Sequence, residues 1–95
     1  MSNFRKERQI MFKSKAESGK NNLCGENVAL LRKAQVPKMS QRVLAERLQL
    51  YGMDVDKNAI QRIECGKRFV TDIELVAICK VLRVSFDQLI PFQNE

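Results

Sequence analysis

Lys57, Asn58, Gln61 and Arg62, within the run "DKNAIQRIECGKR" (Asp56 to Arg68), put two side-chain amides and two cations into six residues. An amide offers a donor and an acceptor side by side, and a guanidinium offers a fork of donors. The set therefore suits bidentate recognition of polar edges or anions rather than bond-making chemistry. On a helical wheel Ala59, Ile60 and Ile63 fall on one side, and Lys57, Asn58, Gln61, Arg62 and Cys65 on the other. Lys67 and Arg68 add two cations just past Gly66. The sequence has no histidine, no G-x-x-x-x-G-K-[ST], no G-x-S-x-G and no carboxylate pair clustered on one face. An enzyme is therefore not expected.

A short recognition face needs a scaffold, and local signals for one recur along the chain. A first helix is expected over about Leu23–Ala34, with Cys24, Val28 and Leu31 at inward spacing. Pro37 disfavours helix at Val36. Ser40 then caps a second helix with Val43, Leu44 and Leu48 as its apolar stripe and Ala45 as a close-approach surface. Asp56 caps the third helix and Gly66 stops it. Thr71 with Glu74, and Ser85 with Gln88, spell capping boxes for a fourth and a short fifth helix, the last ending before Pro91. No segment alternates with period two for long. The expected fold class is all-α, a compact five-helix domain over 23–90, with a basic N-terminal arm at 1–22 and a C-terminal tail at 91–95.

Ninety-five residues, 44% of them hydrophobic, suit one domain with one core. The net charge is +6, unevenly spread. Residues 1–20 hold six Lys/Arg against Glu7 and Glu17, residues 38–68 hold seven against four acids, and residues 69–95 hold two against four. Such polarity suits a protein that meets a polyanion with one face. Three widely spaced cysteines, Cys24, Cys65 and Cys79, form no C-x-x-C. With no histidine, no metal and no cofactor are expected, and the thiols read as free in a reducing, cytoplasmic compartment. No apolar run is long enough to span a bilayer or to serve as a signal peptide, so no membrane partner is expected.

The order "SQRVLAERL", a turn, "AIQRIECGKR", then "TDIELVAICKVLRVSFDQLI" resembles the Cro/C1-type helix-turn-helix, or XRE family, of phage and bacterial repressors. The resemblance covers roughly 23–90. It is carried by Ser40-Gln41, Ala45, Ile60, Ile63-Glu64, Gly66-Lys67-Arg68 and the stretch from Ile78 to Ile90. It implies a lambda-repressor-like fold and a DNA-binding transcriptional regulator, a repressor, acting as a homodimer on a palindromic operator in double-stranded DNA. Helix 56–65 would enter the major groove, where Arg or Lys can donate to guanine and Asn or Gln can pair with adenine. Lys57, Asn58, Gln61 and Arg62 are then the base-contacting candidates. Ser40, Gln41, Lys67 and Arg68 are the candidates for phosphate. The family pattern further implies a structural ion pair between Arg32 and Glu64.

Two departures from that pattern stand out. About five residues are inserted before Ile60, so the turn is not the short sharp one. "LQLYG" is expected to extend the second helix by about one turn, with Gly52 taking over the stop. A second insertion lies in "QVPKM". The alternative function is a protein-interaction module on the same fold, such as the antitoxin of a toxin–antitoxin pair, with a protein partner in place of DNA. Cys65 faces outward, as an inert thiol or a redox-sensitive one, and Cys24 and Cys79 belong to the core. For the arm three roles stay open: following the DNA backbone or a minor groove, idling as a solvated tail, or docking Ile10, Met11 and Phe12 on a dimer partner.

Overall fold

The structure, a computed structural model, describes residues 19–91. Most of the basic arm, with Ile10, Met11 and Phe12, and residues 92–95 of the tail lie outside the described residues.

All but the first helix begin after a short polar side chain that satisfies a free N–H; the first follows Cys24, whose side chain makes no such bond. Helix α1 spans Gly25–Lys33, α2 Gln41–Gln49, α3 Lys57–Glu64, α4 Asp72–Leu82 and α5 Phe86–Leu89, with no strand among the described residues. The Ser40 hydroxyl accepts the Val43 N–H and the Asp56 carboxylate accepts the Ala59 N–H. Both capping boxes form, Thr71 with Glu74 on α4 and Ser85 with Gln88 on α5. None of these helices is long and apolar enough to cross a membrane.

Helix endings follow the same accounting. Gly66 has φ +86°; its N–H reaches the Ile63 carbonyl at 3.0 Å, and the Lys67 N–H reaches the Arg62 carbonyl at 2.8 Å. This pair of bonds satisfies carbonyls that α3 would otherwise leave open. The same pair closes α2 at Gly52, φ +89°, through Gly52 N–H to the Gln49 carbonyl and Met53 N–H to the Leu48 carbonyl. Regular helix ends at Gln49, short of the full added turn expected from "LQLYG". Leu50 and Tyr51 instead tighten onto the carbonyls three residues back. The inserted loop then returns to the core. Met53 and Val55 are buried, and the Gln49 amide donates to the Val55 carbonyl at 2.7 Å.

The core gathers the inward faces of all five helices: Val28 of α1, Leu44 and Leu48 of α2, Ile60 and Ile63 of α3, Ile78 and Leu82 of α4, and Leu89 of α5. Helix α3 packs chiefly on α2 and also on α1. At the α1 contact Gly25 is buried, and a methyl group on it would collide with the carbonyl oxygens of Ile63 and Glu64. The start of α1 can lie against the end of α3 only because that side chain is missing.

Candidate nucleic-acid interface

Helix α3 turns Ala59, Ile60 and Ile63 into the core and leaves Lys57, Asn58, Gln61 and Arg62 exposed. Among the described residues none of these four side chains is held in an ion pair. Their amides and cations remain available to an external partner. The acids nearest in sequence are occupied, Asp56 in the N-cap and Glu64 in an ion pair. Cys65 is exposed on the same side, its thiol 3.6 Å from the Arg62 carbonyl.

A polar network sets how α3 is presented. Arg32 of α1, only 8% exposed, donates from Nε to Glu64 Oε2 at 2.7 Å and from Nη2 to Oε1 at 3.0 Å. Its Nη1 donates to the Met39 carbonyl at 2.9 Å, and the Gln41 amide donates to Glu64 Oε1 at 2.9 Å. One carboxylate at the end of α3 thus gathers α1 and the start of α2. Beside it an open notch is lined by Arg32, Ser40, Gln41, Arg42 and Lys57. There the first N–H groups of α2 and the Lys57 ammonium can meet an anion. Gln41 can take part only with the amide hydrogen that Glu64 leaves free.

The cations after α3 divide. Lys67 is exposed. Arg68 is not free: its two Nη atoms grip the Glu74 carboxylate at 3.1 and 3.2 Å, and Nη1 also donates to the Phe69 carbonyl. Arg68, expected from sequence as a phosphate contact, is thereby engaged as a brace between the turn and the first turn of α4. The Arg68 guanidinium in turn holds the Glu74 carboxyl below its usual range. The brace is therefore complete at neutral pH and is lost as acid protonates Glu74.

Residues 20–22, read from sequence as the end of the arm, belong to the folded body. The Asn22 amide donates to the carbonyls of Ile63 and Arg68 at 3.1 and 2.8 Å, and its oxygen accepts the Gly25 N–H. The Asn21 amide donates to the Lys67 carbonyl, and its backbone N–H donates to the Gly66 carbonyl. Lys20 lies over Gly66 and pairs with Glu26 at 2.9 Å. The incoming chain thus laces the end of α3 and the turn that carries Lys67. The only hint in "ESGKNN" is two consecutive amides just before a helix start.

The core thiols are chemically quiet. Burial pushes Cys24 up to about 11 and raises Cys79 as well, so both stay protonated at neutral pH. Among the described residues no group of three or more potential ligands is placed to hold a metal ion.

No family model, no curated protein and no solved structure matches the chain.

Proposed function

We propose that this chain is a sequence-specific DNA-binding transcriptional regulator of the Cro/C1 type, with α2 and α3 as its helix-turn-helix and α3 as the helix read into the major groove. The observation that carries the reading is the outer face of α3. Its amides and cations are exposed, clear of ion pairs and free of acids, on a helix whose inner face is anchored in the core. Such a face matches base edges presented in a groove wide enough for one helix. Lys67 and the notch at the start of α2 are suited to the phosphates on either side. One such helix covers only a few base pairs, so useful specificity calls for two copies on a palindromic site. A protein-binding module on the same fold is the competing reading, but an acid-free polar face is better matched to a polyanion than to an average protein surface.

The division of labour is testable by titration against a preferred duplex and a random one. Replacing Asn58 or Arg62 with Ala should weaken the preferred site by about 1–3 kcal/mol and relax preference at one position. Replacing Lys67 should weaken all duplexes alike and shallow the salt dependence by about one unit. Replacing Arg68 should act through stability instead, because its charge is already spent on Glu74. Equal losses on both duplexes for Asn58 and Lys67 variants would remove the assignment.

A further inference from the structure

Eight of the eleven residues of α4 are apolar, more than its inner face can place in the core. Ala77, Ile78 and Leu82 are buried, whereas Ile73 is 78% exposed and Val76 50%. Phe69, in the turn before α4, is 53% exposed. With 3.6 residues per turn, Asp72, Ile73, Val76 and Lys80 fall within an arc of about 100° on one side of the helix. The Lys80 ammonium stands 5.9 Å from the centre of the Tyr51 ring, itself half exposed, so the stripe continues onto the turn after α2. Aliphatic and aromatic residues clustered in this way on one face of a small domain mark a contact surface.

The two ends of the stripe differ in charge. Phe69 and Asp72 lie at one end, Lys80 and Tyr51 at the other, with Val76 midway between Asp72 and Lys80. Glu74 is withdrawn from the balance by Arg68.

We propose that this stripe is the two-fold contact between two copies of the chain, α4 lying antiparallel on the other copy's α4 with Val76 at the axis. A two-fold contact needs a surface complementary to itself, and reversal of direction supplies that here. Lys80 of each copy comes level with Asp72 of the other, about 6 Å along the helix from the axis. A parallel arrangement would set like charges side by side. The same axis relates the two copies of α3, one for each half-site. So few residues bury less than the roughly 800 Å² per partner of a standard interface, and the free dimer is therefore weak. Two linked half-sites on DNA would then reinforce it by raising the effective concentration. The proposal rests on the dimeric reading above and assigns its face.

Sedimentation equilibrium of the full chain, with and without a palindromic duplex, tests it. The wild type should associate reversibly with a dissociation constant in the micromolar range, about that of a small interface. Val76→Glu sets two carboxylates at the axis and should weaken the dimer at least about 100-fold, with an unchanged circular dichroism spectrum. Asp72→Lys and Lys80→Asp should each weaken it about tenfold, and their equimolar mixture should recover wild-type association as a heterodimer. Wild-type behaviour of Val76→Glu would overturn the proposal. So would a mixture no better than its components, or a dimer lost only on deleting residues 1–18. A chain that dimerises through this stripe yet binds no duplex would leave the interface standing and end the DNA reading instead.

Discussion

Glu64→Gln should destabilise the protein by about 3–5 kcal/mol, because it strands the Arg32 guanidinium in a nearly closed site. Arg32 is 8% exposed, and two of its hydrogen bonds end on that one carboxylate. The neutral amide of glutamine also replaces one of the two acceptor oxygens with a donor, and Arg32 donates to both of them. Replacing both members with methionine should be milder than either single change. The residual cost is about 1 kcal/mol for each polar partner left unpaired, the Met39 carbonyl and the Gln41 amide. Urea unfolding of the two single variants and the double variant separates these cases. Single variants within about 1 kcal/mol of wild type would mean that the pair is not closed off from water in solution.

Gly25→Ala should cost about 3 kcal/mol or more, although alanine is ordinarily the better helix former. The added methyl meets the backbone carbonyls of Ile63 and Glu64, which cannot rotate away as a side chain would. Relief requires α1 to lift from the end of α3, and the Asn22 bonds to Gly25, Ile63 and Arg68 would have to loosen with it. Gly52→Ala provides the contrast. Nothing surrounds that position, so only the strain of a left-handed backbone applies, about 1–2 kcal/mol. Thermal melts that rank Gly52→Ala as the more damaging change would contradict this account of how α1 and α3 meet.

What could be read in advance was local. Ser40, Asp56, Thr71 with Glu74 and Ser85 with Gln88 cap their helices from within three residues, so sequence spacing alone carries the geometry. The inward residues of α3 follow from helical periodicity in the same way. The buried loop residues Met39, Met53 and Val55 could not be foreseen, because an irregular segment has no period to reveal its inner side. Arg68 looked like a free cation because Glu74, which captures it, lies across a turn rather than one helical turn away. Asn21 and Asn22 act on carbonyls more than forty residues downstream, a contact that no local pattern encodes. Most of the candidate site was therefore visible as a face. The lacing that holds the face in place was visible only in three dimensions.

The central claim, that the exposed face of α3 reads base pairs, is tested most directly by selecting bound duplexes from a random pool with the full chain. The account predicts enrichment of a palindrome whose half-sites lie about one helical turn apart, near 10 base pairs centre to centre. It also predicts loss of that enrichment when Asn58 and Arg62 are both changed to Ala. A pool that stays random after repeated rounds, or the same palindrome recovered by the double variant, would contradict it.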